Sequence, residues 1–238
     1  MLLHGWGSGA GIWDGLARRL APRFRIHALS LPGYGAEPVH TARSLRAIVV
    51  AIAQAAPRRC GVIGWSLGGE VALAWARCAQ RQVQRLALIA TTPCFTSRPG
   101  WPCATSPAVL NEFARFLATD RDGTLARFTA AQAKGDARAR RVASVLHQFN
   151  VHGAPTDVLL AGLDVLTNTD MRRDLSLMKQ PTLVMHGARD RIVPPAAGRR
   201  LAAALPEARF TLLRACAHAP FLSQPGRVAY ALREFFDE

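Results

Sequence analysis

The stretch Cys60-Gly-Val-Ile-Gly-Trp-Ser-Leu-Gly-Gly69 decides the fold, because it combines an apolar strand, a tight turn and the start of a helix. Within it, Gly64 to Gly68 form a GxSxG pattern, which is typical of a serine on a sharp strand-to-helix turn. Nineteen glycines and nine serines would produce this pattern by chance in roughly one such chain in twenty. The position of the pattern directly after a strand is therefore stronger evidence than the pattern itself. A glycine-rich turn with an incidental Ser66 is the alternative.

Apolar runs alternate with helical patterns on both sides of this stretch, which is typical of βαβ units and a mainly parallel sheet. The alternation predicts an α/β fold in which helices flank the sheet. The predicted strands are 1–3, 24–29, 60–64, 86–90, 181–186 and 208–213, and the predicted helices lie near 12–20, 44–56, 67–79, 195–204 and 225–236.

Between about 95 and 170 the alternation stops, and only helical periodicity remains. Ser106 and Pro107 are suited to begin a helix, and further helices are predicted at 125–133, 137–149 and 157–166. A helical insertion between two halves of a parallel sheet indicates a lid. We expect one domain spanning 1–238, with a core of 1–94 and 171–238 and an all-helical lid of 95–170.

The composition predicts a soluble, cytoplasmic protein. The 238 residues, half of them apolar, suffice for one substantial core, and neither an 18-residue apolar run nor a signal-peptide pattern is found. Five scattered cysteines without a CxxC pair favour reduced thiols over disulfides or a metal site. We therefore expect no metal, no cofactor and no membrane association.

The formal net charge of +14 favours an acidic partner. Part of that charge lies between Arg127 and Arg141, where five basic residues accompany one acidic residue. A solvated helix face and a docking surface both explain this stretch, and a genomic bias toward arginine is a third explanation. Without a recognised nucleic-acid-binding motif, we do not expect nucleic acid as the partner.

A nucleophilic serine needs a base, and the base needs an acid that holds it in one tautomer. Asp190 follows the predicted strand 181–186, and His218 follows the predicted strand 208–213. Both residues therefore belong to the carboxyl edge of the sheet, as does Ser66, and this is the edge where α/β sheets bind ligands. Taken singly, Asp190 and His218 could be ordinary loop residues, but the order Ser, Asp, His predicts a catalytic triad.

A serine hydrolase also needs two N–H donors for the oxyanion of its tetrahedral intermediate. Leu67 follows the serine at a helix N-terminus, and Trp6 lies in the loop His4-Gly5-Trp6-Gly7 after the first strand. We assign the donors to the main chains of these two residues. His4 is a candidate base or ligand, but without a second ligand nearby a structural hydrogen-bonding role is the better interpretation.

Together with Leu31-Pro-Gly-Tyr-Gly35, these motifs resemble the α/β-hydrolase family. The resemblance covers nearly the whole chain, including the lid. It is most specific at Thr92-Pro-Cys-Phe95 and Ala217-His-Ala-Pro-Phe221, which are similar to esterases that act on an acyl chain carried by an acyl-carrier protein. The resemblance implies a monomeric serine carboxylesterase with an acidic acyl-carrier protein as its partner.

The resemblance also implies roles for individual residues. Ser66 is the nucleophile, His218 the general base and acid, and Asp190 the residue that orients His218. The lid residues matching acyl-chain contacts are Phe128, Thr129, Ala130, Ala131 and Gln132, and those matching carrier-protein docking are Arg127 and Arg140, with Arg138 and Arg141 as neighbours. For Phe128, packing within the lid is an alternative, and packing roles are expected for Trp65 and Trp101.

In one respect the chain departs from the family pattern. Family members carry two strands before the His-Gly loop. In this sequence the loop already begins at residue 4, and only residues 1–3 precede it. Those strands would cover an edge of the sheet that otherwise invites association. Our hypothesis is that N-terminal strands are missing and that the natural start lies upstream, which the intact mass of the native protein would test.

Other functions remain compatible with the sequence. A generalist short-chain esterase, a thioesterase or a C–C bond hydrolase would use the same triad, since the triad sets the reaction class far better than the substrate. A non-catalytic, ligand-binding relative would need no triad. Labelling of Ser66 by a fluorophosphonate distinguishes the enzymes from the binding protein.

Overall fold

The computed structural model describes residues 1–35, 44–150 and 154–238. In these residues a six-stranded sheet has the order β2-β1-β3-β4-β5-β6, and every pair of neighbours is parallel. The α/β prediction with a mainly parallel sheet is therefore confirmed. The strands are β1 (Leu2–Leu3), β2 (Ala28–Leu29), β3 (Cys60–Trp65), β4 (Val83–Ile89), β5 (Thr182–Gly187) and β6 (Ala208–Leu213).

Helices cover both faces of this sheet. Short 3-10 turns are added at Ala10–Trp13 and Leu175–Leu177. The α-helices are α1 (Asp14–Leu20), α2 (Leu45–Ala55), α3 (Leu67–Cys78), α4 (Pro107–Thr119), α5 (Arg121–Ala133), α6 (Ala139–Gln148), α7 (Thr156–Asn168), α8 (Pro195–Ala204), α9 (Pro220–Ser223) and α10 (Pro225–Asp237).

Alternating side chains of the strands form two hydrophobic cores. Along β4, Leu86 and Leu88 pack with residues of α2, α3 and α8. Ala87 and Ile89 point to the other face and pack with residues of α1 and α10. This period of two follows from strand geometry, and each fully buried leucine or isoleucine contributes roughly 1.5–3 kcal/mol. The sheet is thereby fixed from both sides.

The second predicted strand, 24–29, is wrong in length. Only Ala28 and Leu29 form a strand, because their neighbour β1 offers only Leu2 and Leu3 for pairing. The main-chain oxygen of His27 still accepts a hydrogen bond from the N–H of Leu2 at 2.8 Å. Apolar residues alone therefore did not extend the strand, since a strand needs a partner of matching length.

In the described residues, four α-helices, α4 to α7, lie between β4 and β5, and we call them the lid. Pro107 is at the first turn of α4, as the sequence predicts. Leu110, Leu125 and Leu159 of the lid pack in the first core, whereas Val142 of α6 packs in the second. The lid is thus attached to both faces of the sheet. Residues 36–43 of the expected core and 151–153 of the expected lid lie outside the described residues.

Candidate active site

Ser66 occupies a strained turn between β3 and α3. Its backbone angles are φ 54° and ψ −120°, and such a conformation costs on the order of 1–3 kcal/mol. Its N–H donates to the oxygen of Ile89 at 3.0 Å, and its carbonyl accepts from the N–H of Gly69 at 2.8 Å and from Thr91 Oγ1 at 2.7 Å. These contacts fix the serine at the carboxyl end of β3.

Two glycines beside Ser66 are required by close packing. A Cβ at Gly64 would collide with the carbonyl oxygen of Gly68, and a Cβ at Gly68 would collide with that of Leu3. Both obstacles are main-chain atoms of the helix and the sheet, which cannot rotate away. The glycines of the motif therefore let α3 and β1 approach the serine closely.

Asp190 and His218 meet at the same edge of the sheet. The Nδ1–H of His218 donates to Asp190 Oδ2 at 2.8 Å, and both side chains are buried. The other carboxylate oxygen, Oδ1, accepts from the N–H groups of Ile192 and Val193 at 2.9 and 3.0 Å. The carboxylate is therefore held in place from both sides and fixes the tautomer of the imidazole.

A second histidine, His186, supports the same carboxylate. Its Nε2 lies 3.2 Å from Asp190 Oδ2 and 2.9 Å from the oxygen of Val193. Burial alone would raise the pKa of Asp190, but the charge of His218 and hydrogen bonds from both histidines outweigh it and hold the pKa below its ordinary value. Asp190 is therefore ionised whenever the protein is folded near neutral pH.

The backbone of His218 is fixed by residues from two other segments. Trp65 Nε1–H donates to the His218 oxygen at 2.8 Å, and the His218 N–H donates to the oxygen of Gln132 at 3.2 Å. Its Nε2 is buried and has no hydrogen-bond partner among the described residues. This nitrogen is consequently free to exchange a proton with a reacting group.

The loop after β1 packs directly against Ser66. A Cβ at Gly5 would lie 3.2 Å from Ser66 Cβ and 3.0 Å from the Trp65 ring. His4 holds this loop, because its Nδ1–H donates to the Gly5 oxygen at 2.8 Å and its Nε2 accepts from the N–H of Leu31 at 2.9 Å. Burial lowers the pKa of His4 to about 4. His4 is thus a neutral structural residue.

The two expected oxyanion donors lie next to the Ser66 turn. Trp6 directly follows Gly5, and Leu67 directly follows Ser66 at the N-terminus of α3. Neither main-chain N–H donates a hydrogen bond within the described part of the chain. The indole of Trp6 is held by a 2.8 Å bond from Nε1 to the oxygen of Leu159 in the lid. Both N–H groups are therefore available to a negatively charged oxygen.

A cavity of about 380 Å³ connects Ser66 with the lid. Such a volume is in the range of small-molecule sites. Apart from two arginines, its walls are mainly apolar, so they suit an aliphatic chain. The lining residues are Trp6, Ser66, Phe95, Thr105, Val109, Leu110, Phe113, Phe116, Thr124, Arg127, Phe128, Ala131, Leu163, Leu166, Arg191 and Ile192.

The structure separates the five lid residues that the resemblance groups together. Phe128 and Ala131 line the cavity, and the Phe128 ring also contacts the rings of Trp6 and Phe113. The other three do not line it. Thr129 bonds the oxygen of Leu125, Gln132 bonds His218 through its main chain, and Ala130 is exposed.

The four candidate docking arginines also differ in position. Arg127 lines the cavity, where it donates to Asp120 at 3.0 Å and to Thr124 at 2.9 Å. Arg138 donates to the Ser223 oxygen at 2.9 Å and lines a separate cleft. Arg140 and Arg141 are exposed on α6. All four lie on the lid or at its α5–α6 turn.

Several site residues were missed at the sequence level. Arg191 lines the cavity and was detectable from its place beside Asp190. His186 is the second-last residue of β5, and a histidine at the carboxyl edge of the sheet is a signal that the sequence offers. For Trp65 the sequence predicts only packing, because no local pattern predicts a hydrogen bond across 153 positions.

The residues that the structure describes contain no group of three or more potential metal ligands. In the same part of the chain, no helix combines the length and apolarity needed to span a membrane.

Comparisons with known proteins agree with this fold. A family model described as the alpha/beta hydrolase family matches residues 1–232. The esterase EaEST from Exiguobacterium antarcticum shares the fold, with a TM-score of 0.91 at 20% identity, over 100% of this chain and 91% of that chain. The chain therefore belongs to the α/β-hydrolase family.

Two curated relatives carry a narrower name. The chain is 41% identical over 227 residues to the pimeloyl-[acyl-carrier protein] methyl ester esterase of Nitrosomonas europaea, covering 94% of this chain and 90% of the relative. It is 42% identical over 238 residues to the protein of that name from Stenotrophomonas maltophilia, covering 99% and 91%.

Proposed function

We propose that this protein is a serine carboxylesterase that hydrolyses the methyl ester of a pimeloyl chain attached to an acyl-carrier protein, as in biotin synthesis. The observation that carries the proposal is the apolar, lid-covered cavity that opens on Ser66. The pimeloyl chain has five methylene groups, and their burial would contribute on the order of 4 kcal/mol. Relatives with this substrate in their names are similar over nearly the whole chain.

The reaction follows from the arrangement of the side chains. Ser66 Oγ attacks the ester carbonyl while His218 Nε2 accepts its proton, and the N–H groups of Trp6 and Leu67 stabilise the oxyanion. The intermediate then collapses, and methanol leaves with the proton from His218. Water, deprotonated by His218, attacks the acyl-enzyme and releases Ser66 and the free carboxylate. Asp190 stabilises the imidazolium in each half of the reaction.

The charge of the protein supports a carrier-bound substrate. The formal net charge is +14, and Arg127, Arg138, Arg140 and Arg141 lie on the lid or at its turn. A cationic surface accelerates association with an acidic partner. We infer that these arginines dock the acyl-carrier protein while its tethered chain reaches through the cavity to Ser66. In this account the protein acts as a monomer.

The test compares two substrates in wild-type protein and in Ser66→Ala. Wild type should hydrolyse both pimeloyl-carrier methyl ester and a small nitrophenyl ester, and Ser66→Ala should hydrolyse neither. A fluorophosphonate should label wild type and spare the variant. Hydrolysis of the small ester alone would favour a generalist esterase, whereas an unlabelled wild type without either activity would favour a binding protein.

A further inference from the structure

A buried carboxylate, Asp136, links the lid to the loop that carries His218. Only 7% of the Asp136 surface is exposed to solvent. Its Oδ2 accepts from the N–H of Ala217 at 2.8 Å, and its Oδ1 accepts from Ser223 Oγ at 2.7 Å and from the N–H of Arg138 at 2.7 Å. Bonds to an ionised acceptor are about twice as strong as neutral ones. The carboxylate therefore fixes three segments of chain at one point.

The turn between α5 and α6 brings Asp136 into this position. Gly135 has φ +88°, in the left-handed region that glycine adopts without strain, so the chain can reverse directly after α5. Two further bonds hold the turn on the catalytic edge. Ala137 N–H donates to the Ala215 oxygen at 2.9 Å, and Arg189 donates to the Gly135 oxygen at 2.9 Å.

Asp136 acts next to the catalytic histidine. Ala217, which its Oδ2 holds, directly precedes His218, whose own N–H donates to Gln132 in the lid. Two consecutive main-chain N–H groups of this loop thus donate hydrogen bonds to oxygen atoms of the lid and its α5–α6 turn. A small displacement of a reacting group can cost roughly 100-fold in rate, so the contact to Ala217 is placed where it affects the reaction.

We propose that Asp136 is a positioning residue for ester hydrolysis. Through Ala217 it holds the His218 loop against the lid and sets the place from which Nε2 reaches Ser66. This inference rests on the proposed roles of Ser66 and His218, but it does not depend on the acyl group or on the carrier protein. The small nitrophenyl ester is therefore the appropriate substrate for its test.

The test variant is Asp136→Asn, which keeps the size of the side chain but replaces one acceptor oxygen with an NH₂ donor. The NH₂ group accepts no hydrogen bond, and the single remaining oxygen cannot replace both Oδ2 toward Ala217 and Oδ1 toward Arg138. With rates normalised to the folded fraction by circular dichroism, kcat should fall roughly 10- to 100-fold and KM should change by less than about 2-fold. The downfield proton resonance of the His218 Nδ1–H bond to Asp190 should also move.

Two variants serve as matched controls. Ser223→Ala removes one bond to Asp136 but keeps the Ala217 contact. Asp164→Asn changes an exposed carboxylate of α7 that bonds Asn168. Both should keep kcat within about 3-fold of wild type and leave the downfield resonance in place, as expected for changes away from the reacting groups.

Several results would overturn the inference. Asp136→Asn with unchanged kcat per folded molecule and an unmoved resonance would show that Asp136 only stabilises the fold. An equal loss in Ser223→Ala would assign the effect to the Ser223 segment and not to Ala217. If Ser66→Ala kept the small-ester activity, the proposed function would fail first, and this inference would fail with it.

Discussion

The serine turn and the lid both contact the cavity, but different forces hold them. Around Ser66, main-chain atoms pack so closely that glycines are required, and Ser66 itself keeps a strained backbone. In the lid, amphipathic helices bury a few side chains each, for example Leu110 and Leu117 of α4, and leave arginines exposed. The comparison teaches that the serine turn tolerates little change in its backbone packing, whereas exposed residues of the lid can change without disturbing the core.

The largest expected effect concerns Asp190, the acid of the proposed triad. Asp190→Asn would keep the shape of the side chain but remove the charge that orients His218. In a well-studied serine protease the equivalent change lowers kcat about 10⁴-fold, and we expect a similar loss on the small ester. Asp174→Asn, which changes an exposed ion pair with Arg77, is the control and should have wild-type activity. A loss below about 10-fold would contradict the assigned role of Asp190.

Two glycine substitutions compare the rigidity of the two regions. In Gly64→Ala the new Cβ would meet main-chain atoms of Gly68 and Gly69, so we expect a loss of about 2–3 kcal/mol in the free energy of unfolding. In Gly123→Ala of α5 it would meet only the side chain of Asp120. The cost is then limited to the N-cap bond that Asp120 Oδ1 accepts from the N–H of residue 123, and the higher helix propensity of alanine offsets part of it. That variant should remain within about 1 kcal/mol of wild type. Urea unfolding measures the free energy of unfolding of both variants. Equal losses would show that the serine turn and the lid do not differ in rigidity.

The loop beside the serine turn should also make stability depend on pH. Burial lowers the pKa of His4 from 6.5 to about 4, so between these values the unfolded state binds more protons than the folded state. Stability should therefore fall as the pH drops from 6.5 to 4, by roughly 3 kcal/mol from this group. The pKa of Asp190 is also lowered. Its protonation therefore lowers the stability further, but only at pH values below the ordinary pKa of a carboxyl group.

His4→Gln is the variant that isolates this contribution. It should be less stable than wild type near neutral pH, yet its stability should depend less on pH between 6.5 and 4. Unfolding curves in urea at several pH values measure the slope. Parallel slopes in both proteins would show that His4 is not the responsible group.

The sequence predicted the parts of the molecule that local patterns determine. Ser66 is marked by a five-residue motif, and Asp190 and His218 follow strands whose ends must meet in a parallel sheet. The length of β2 was predicted wrongly, because pairing with β1 limits it. In the sequence, Asp136 is only the one acidic residue between Arg127 and Arg141, since its contact with Ala217 spans 81 positions. Contacts between distant segments depend on the whole fold, and no short pattern contains them.

The central claim is that the lid selects an acidic carrier while the serine turn performs the chemistry. The most direct test is Arg140→Glu with Arg141→Glu, because both residues are exposed and neither lines the cavity. The control is Arg58→Glu with Arg81→Glu, an equal charge change at exposed positions before β3 and β4, on the opposite edge.

The measured quantity is kcat/KM for the carrier ester and for the small ester. In the lid variant we expect the carrier-ester value to fall about 10-fold and to lose salt sensitivity, with the small-ester value within about 2-fold of wild type. In the control variant, kcat/KM for the carrier ester should fall much less. Equal losses on both esters, or equal losses in both variants, would contradict the claim.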